Sequence, residues 1–132
     1  MPSIHSEILI EARAQDVWDA VRDVGAVHRR LARDFVTDTR LEPGARVVTF
    51  ANGLVVRELI VDIDESRRRV AYSVVGGTPT HHNASMQVFA EGERSRLVWI
   101  TDVLPDEVAG NFRAMIEQGA QAMKRTLDGA RS

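Results

Sequence analysis

The chain has 132 residues, a formal net charge of -2 and no cysteine. This length is typical of one domain with its own hydrophobic core, and the absence of cysteine excludes disulfides, thiolate metal ligands and cysteine nucleophiles. The near-neutral charge argues against a protein that binds mainly nucleic-acid phosphates, and no apolar run reaches the ~18–20 residues of a membrane span. We therefore predict a single domain over residues 1–132, a cytoplasmic location, no nucleic-acid partner and no membrane span.

The first third of the chain predicts one strand followed by two short helices. Apolar side chains occupy alternate positions in residues 3–11, which indicates a strand. In residues 13–23 they recur at helical spacing, and Gly25 can end that helix. A second short helix is predicted around residues 24–31, where apolar side chains again share one side.

The middle of the chain, residues 35–103, predicts about six consecutive antiparallel strands. Turn-forming residues separate these strands, and the strongest hairpin signal is Asn52-Gly53 in the turn at residues 51–53. One later strand has a clear inner face, because its alternate residues are apolar except for one histidine. These inner residues are His82, Ala84, Met86 and Val88.

The last segment predicts a long amphipathic helix of about 22 residues, about 33 Å long at ~1.5 Å per residue. Pro105 suits the first helical position, and apolar residues then follow helical spacing from Val108 to Leu127. The order of elements therefore predicts an α+β fold: a curved antiparallel sheet of about seven strands, two short helices after the first strand, and this helix packed across the sheet.

Small residues in the last helix predict a cavity between helix and sheet. Gly119, Ala120 and Ala122 leave space opposite Met86 and Phe112 that larger side chains would fill. We expect a cavity of several hundred Å3, the usual range for small-molecule sites.

This order of elements resembles the START-like (SRPBCC) superfamily with its helix-grip fold. The superfamily includes polyketide cyclase/dehydrase-type proteins, birch-pollen-allergen-like proteins and plant abscisic acid receptors. The resemblance covers nearly the whole chain and rests on order and spacing rather than on any single motif. Its pieces are Ala14 to Asp23, Pro43-Gly44, Glu58 followed by Asp64, Arg69 to Tyr72, Trp99 and Pro105.

The resemblance implies a cavity that binds apolar or amphipathic ligands, in which some members catalyse cyclisation or dehydration. The stretch from Gly53 to Asn83 is similar to the part of the hormone receptors that carries their gate and latch loops. Val55 stands where those receptors carry a proline, and residues 78–81 differ from their latch. Hormone sensing is therefore not supported, whereas a shared cavity is.

Six residues are predicted to contact the ligand: Glu58, Tyr72, His82, Met86, Trp99 and Phe112. Either Glu58 or Arg57 points inward, and the matching glutamate of the hormone receptors faces the ligand. The matching tyrosine position also faces the cavity, and its hydroxyl can orient a carbonyl or a phenol. His82 suits proton transfer or hydrogen bonding at the cavity rim. The alternatives are an edge ion pair for Glu58, a core tyrosine and a partly exposed histidine.

Periodicity does not decide which face of residues 96–103 is inside. Trp99 suits a cavity wall, and the opposite face, with Val98 and Ile100, suits a contact in a homodimer. No metal or cofactor is expected. His81 and His82 lie on opposite strand faces and cannot chelate one ion, and Asp62 to Asp64 lacks the features of a calcium loop.

Three functions remain open. The first is binding of a small hydrophobic molecule (polyketide, lipid or aromatic) between the sheet and the last helix. The second is a polyketide cyclase/dehydrase-like enzyme in which His82, Tyr72 or Glu58 moves protons. The third is a protein-interaction module that uses the outer face of the sheet.

Overall fold

The computed structural model describes residues 2–77 and 79–129. Strand β1 is followed by helix α1, a π-helical turn, strands β2 to β7, a 3-10 turn and helix α2. The bounds are β1 Ser3–Ile10, α1 Ala14–Arg22, the π-helical turn Val27–Leu31, β2 Val36–Glu42, β3 Ala45–Phe50, β4 Val55–Asp64, β5 Arg69–Val75, β6 His81–Glu91, β7 Arg94–Leu104, the 3-10 turn Asp106–Val108 and α2 Ala109–Asp128.

All seven strands form one antiparallel sheet in the order β1-β7-β6-β5-β4-β3-β2. The pairing shifts between Val36 and Asp38 in β2 and between Ile60 and Asp62 in β4. Such bulges bend a strand and increase its twist, which helps the sheet curve around α2. The predicted α+β fold, with two short helical elements after β1 and a long C-terminal helix, is confirmed.

The core lies between the inner face of the sheet, α1 and α2. In β7 the side chains of Leu97, Trp99, Thr101 and Val103 are buried, which settles the parity that the sequence left open. Val98 and Ile100 lie on the outer face. They pair across strands with Glu7 and Gln87 and with His5 and Ser85, respectively, so the apolar side chains of this face are separated by polar ones.

Two details of α2 correct the sequence-based expectations. The helix begins at Ala109, because Pro105 has extended backbone and one 3-10 turn follows it; its predicted start at Pro105 was wrong. The space expected at Gly119 is filled: a Cβ atom there would lie 3.0 Å from Phe35 and 3.1 Å from Trp99. Glycine lets the helix approach the sheet until these rings occupy the gap.

No helix in the described ranges combines the length and the apolar character that crossing a membrane requires.

Candidate ligand-binding cavity

A cavity of about 250 Å3 lies between the sheet and the first turns of α2. It sits at the end of the sheet where the β3–β4 turn and the β5–β6 loop meet the helix. Most of its wall is apolar. The lining residues are Phe50, Leu54, Val56, Glu58, Val74, Gly76, Gly77, Pro79, His82, Val108, Asn111, Phe112 and Met115.

Two larger hollows have a different character. One of about 500 Å3 runs between β1 and α2 and is bordered by Glu7, Arg113 and Lys124. The other, of about 680 Å3, lies beside the π-helical turn and is bordered by Arg29, Arg33 and other polar residues. Both are open to solvent, so the smaller, more enclosed and more apolar cavity is the better candidate for a ligand site.

The sheet opens at the cavity because β5 and β6 separate there. The last residues that pair between the two strands are Ser73 and Asn83, although β5 continues to Val75 and β6 begins at His81. The loop that follows passes through Gly76 and Gly77, whose φ values of 87° and 81° are in the left-handed region that favours glycine. This separation provides a mouth for the cavity.

The polar groups of the cavity belong to one row of residues across the inner face of the sheet. Arg46 on β3 pairs with Glu58 on β4, and Glu58 pairs with Val74 on β5. Val74 and His82 directly follow the last β5–β6 pair. Glu58 and His82 therefore lie on either side of Val74, two strands apart across the sheet.

Glu58 is held in place by a buried ion pair. Arg46 Nε donates to Glu58 Oε1 at 2.7 Å, and the two side chains are only 4% and 9% exposed. Arg46 also donates from Nη1 to the Val24 carbonyl. In the described residues no donor reaches the second carboxylate oxygen, Oε2, so this acceptor is available at the cavity wall.

Tyr72 and Trp99 support the ion pair from the core. The Arg46 guanidinium lies 5.0 Å from the centre of the Tyr72 ring, and Trp99 Nε1 donates to the Tyr72 hydroxyl at 3.0 Å. Burial, with the charge of Glu58 as a second cause, raises the pKa of Tyr72 and keeps the phenol protonated. Trp99, Tyr72, Arg46 and Glu58 therefore form one continuous chain of contacts, which we call the support chain.

His82 is a neutral hydrogen-bonding group at the other side of the cavity. Its ring packs edge-on against Phe112, with the ring centres 4.9 Å apart. Burial, with the neighbouring His81 as a smaller cause, lowers the pKa of His82 to about 4. At neutral pH the imidazole thus has one donor and one acceptor, and no described residue forms a hydrogen bond with its side chain.

Three of the six predicted contact residues line the cavity: Glu58, His82 and Phe112. Tyr72, Met86 and Trp99 are buried in the core outside it. The physical reason is the close approach of α2 at Gly119, which encloses the Trp99 ring; Met86 is the cross-strand partner of Trp99. The structure thus gives these three residues no contact with the cavity.

Arg46 was missed in the sequence, although a signal for it was present. A hairpin turn at residues 51–53 is centred on Asn52, and a register counted from that centre places Arg46 opposite Glu58. Val74 shares the parity of Tyr72, and Met115 belongs to the apolar pattern of the last helix. The loop residues Leu54, Gly76 and Gly77 fall in the stretch that resembles the hormone receptors.

His81 points away from the cavity, as its position next to His82 predicts. It lies on the outer face beside a polar cluster in which the side chains of Ser3 and Asn83 both donate to Asp102. Within residues 2–77 and 79–129, no three His, Asp or Glu side chains are placed to hold a metal ion.

Comparison with known proteins gives one family match. The family model described as polyketide cyclase / dehydrase and lipid transport matches residues 1–132. Among curated proteins no significantly similar sequence is found.

Several solved structures share the fold. A protein from Thermobifida fusca is 25% identical, with a TM-score of 0.74 over 97% of this chain and 91% of its own. A Thalictrum norcoclaurine synthase is 20% identical, with a TM-score of 0.67 over 96% of this chain and 93% of its own. The di-domain aromatase/cyclase BexL is 16% identical, with a TM-score of 0.77 over 97% of this chain and 47% of its own. At these last two identities the similarity concerns the fold alone.

Proposed function

The chain belongs to the family described as polyketide cyclase / dehydrase and lipid transport, and on this premise we propose that it binds a small, largely apolar molecule in the cavity between the sheet and α2. The observation that carries the proposal is the cavity itself: it is enclosed and mostly apolar, and its wall includes three polar side chains, Glu58, His82 and Asn111. Glu58 Oε2, the His82 ring and the Asn111 amide form no hydrogen bond with the described residues. A few convergent polar groups in an apolar wall are typical of small-molecule sites.

The size of the cavity favours a compact ligand. Its volume of about 250 Å3 is slightly below the ~300–1,000 Å3 of sites for drug-sized molecules. A ligand with one or two rings fits this volume better than a long acyl chain or a full-length polyketide. Among the ligand types that the sequence suggested, the aromatic one therefore has the most support.

A blocked variant tests the proposal. We would titrate the protein with naphthalene and follow the backbone amide resonances by NMR. The wild type should show shifts at Val74, His82 and Phe112. Val74→Trp fills the cavity and should abolish them, whereas Val75→Trp, the next residue on the exposed outer face, should bind like the wild type. Binding that survives Val74→Trp would contradict the proposal.

An enzyme is the second candidate, because Glu58 and His82 lie in the wall of the same cavity. A neutral imidazole and a fixed carboxylate can both accept a proton from a bound substrate. Tyr72 does not line the cavity, and its raised pKa makes it a poor proton donor or acceptor at neutral pH. A cyclase- or dehydrase-like reaction in this cavity would therefore use Glu58 or His82.

A model reaction separates the enzyme from a pure binding protein. 5-Nitrobenzisoxazole is a two-ring molecule that opens when a base removes its carbon-bound proton, and the product is coloured. The enzyme hypothesis expects acceleration by the wild type and by Val75→Trp, with a loss in His82→Phe or Glu58→Gln. Equal rates in wild type, Val74→Trp and buffer would favour binding without catalysis.

The outer sheet face has less support as an interaction surface. Val98 and Ile100 are each flanked by polar cross-strand neighbours rather than forming a continuous apolar surface. A homodimer through these two residues stays a prediction.

A further inference from the structure

We infer that the ligand of this cavity is an uncharged aromatic molecule with polar groups at two opposite ends: a hydrogen-bond donor that reaches Glu58 and a hydroxyl or carbonyl group that reaches His82. This inference rests on the proposed function and specifies the chemistry of the ligand. It follows from the free atoms of the two side chains, from their spacing across the sheet and from the charges at the cavity wall.

The end of the cavity at Glu58 selects a donor. An ionised carboxylate only accepts hydrogen bonds. Its Oε1 atom is occupied by Arg46 at 2.7 Å, and Oε2 is the atom without a donor from the described residues. A hydroxyl or amine of the ligand can bond to Oε2, whereas a carbonyl or ether oxygen would face another acceptor.

The end at His82 takes a group that either donates or accepts. The neutral ring has one N–H and one bare nitrogen, and its edge-on contact with Phe112 fixes the ring plane. Both a hydroxyl and a carbonyl oxygen can bond to such a ring. Burial keeps it uncharged at neutral pH, so it provides no charge to balance an anion.

The spacing of the two side chains requires a ligand with polar groups at both ends. Glu58 and His82 are two strands apart, with the apolar Val74 between them. A ligand that bonds to both must place its apolar body over Val74 and against Phe112 and Met115. Two fused rings with substituents at opposite ends have this pattern.

The charges of the site exclude anions. Glu58 and His82 are the titratable side chains among the described lining residues, and the nearby cation, Arg46, is already paired with Glu58. A carboxylate bound here would lose its hydration without gaining a positive partner, and it would lie near the Glu58 charge. Burial of an unpaired charge is strongly unfavourable.

Four ligands of similar shape test the inference at pH 7: naphthalene, 2-naphthol, 2,6-dihydroxynaphthalene and 2-naphthoate. Binding is measured by NMR titration or calorimetry. The dihydroxy compound should bind tightest, 2-naphthol next and naphthalene third. Because a hydrogen bond to a charged group contributes about 1.5–3 kcal/mol, the first hydroxyl should improve the Kd roughly tenfold or more. 2-Naphthoate should bind at least tenfold more weakly than 2-naphthol.

Two variants assign the ligand groups to the protein groups. Glu58→Gln leaves Arg46 without its partner, so it should reduce or invert the preference for 2-naphthol over 2-naphthoate. His82→Phe should remove the advantage of the dihydroxy compound over 2-naphthol and keep the preference over 2-naphthoate. Val75→Trp, on the exposed outer face and outside the cavity, should preserve the order of all four. His82→Phe and the wild-type series keep the test decisive if Glu58→Gln does not fold.

The outcomes separate this inference from the proposed function. If none of the four compounds binds, both fail. If naphthalene binds and the hydroxyl groups give no advantage, or if 2-naphthoate binds as tightly as 2-naphthol, the inference is overturned and the binding cavity stands.

Discussion

The guanidinium of Arg46 and the carboxylate of Glu58 form a buried ion pair, with Arg46 Nε 2.7 Å from Glu58 Oε1. Arg57, the residue before Glu58 on β4, forms a second pair with Glu42 at the end of β2. Arg57 Nε is 2.9 Å from Glu42 Oε1, but these side chains are 48% and 33% exposed. The geometry of the two pairs is similar and their surroundings differ. They therefore provide a direct comparison of a buried and an exposed pair.

Loss of Arg46 should destabilise the protein strongly, because Glu58 is then buried without its partner. Removing one partner of a buried pair typically costs about 3–5 kcal/mol, so we expect this range for Arg46→Met in urea denaturation. Arg57→Ala should cost less than about 1 kcal/mol. The double variant Arg46→Met, Glu58→Met should recover part of the loss. Equal effects of Arg46→Met and Arg57→Ala would show that the inner pair is not buried as described.

Stability should fall with decreasing pH as His82 becomes protonated. Its pKa is about 4 in the folded protein and ~6.5 in an unfolded chain. Between these values the unfolded state binds the proton and the folded state does not, so the contribution is complete above about pH 6.5 and is lost as the pH falls toward 4. For a fully enclosed ring, the difference between the two pKa values corresponds to about 3 kcal/mol of folding free energy. Solvent contact at the cavity mouth reduces this contribution to about 1–2 kcal/mol.

Urea denaturation between pH 4 and 7.5 measures this loss. The difference between wild type and His82→Phe isolates the imidazole from the carboxylates, which titrate in both proteins. His81→Gln, a change at the exposed neighbour, should keep most of the dependence. Parallel curves for wild type and His82→Phe would refute the assigned burial.

Phe112 should affect ligand binding more than stability. Its ring is half-buried and lines the cavity, so Phe112→Ala enlarges an existing space and should cost about 1–2 kcal/mol, below the ~3–5 kcal/mol of a core phenylalanine. Ile116→Ala, one turn later at a buried position outside this cavity, should cost about 2–5 kcal/mol. Naphthalene binding should weaken in Phe112→Ala and persist in Ile116→Ala. The reverse order of stabilities would place Phe112 in the core.

Two glycines of α2 should respond in opposite directions to alanine. At Gly119 a Cβ atom would lie 3.0 Å from Phe35 and 3.1 Å from Trp99, whereas at Gly110 no heavy atom lies within 4 Å. Overpacking typically costs about 1–3 kcal/mol, and alanine is favoured over glycine in a helix by about 1 kcal/mol. Gly119→Ala should therefore lower the thermal midpoint, and Gly110→Ala should raise it. A stabilising Gly119→Ala would mean that α2 packs further from the sheet.

Most of the fold follows from periodicity. The parts that could not be predicted depend on packing between distant segments of the chain. The alternation of residues 80–90 predicts that His82 points inward, because one apolar face is enough to fix the parity of a strand. Residues 96–103 are apolar on both faces. Their orientation depends on α2, which buries Trp99, and a local pattern contains no information about that contact.

The sequence predicted only part of the candidate site, because a local pattern identifies residues but not the packing around them. Glu58 and His82 are polar residues in otherwise apolar surroundings, and this local contrast makes them visible in the sequence. The position of the cavity depends on where helix and sheet separate. Gly119 suggested an empty space, but a small residue also permits close approach, and here Trp99 and Phe35 fill the gap.

The support chain links the size of the site to its polarity. Trp99 occupies the space beneath Gly119 and also donates the hydrogen bond that orients Tyr72, which in turn lies against Arg46. A smaller residue at position 99 would open space beneath Gly119 and, at the same time, remove the donor that orients Tyr72 beside the partner of Glu58. Space and polarity are therefore coupled at this position: a substitution that creates room in the core also changes the surroundings of the polar row.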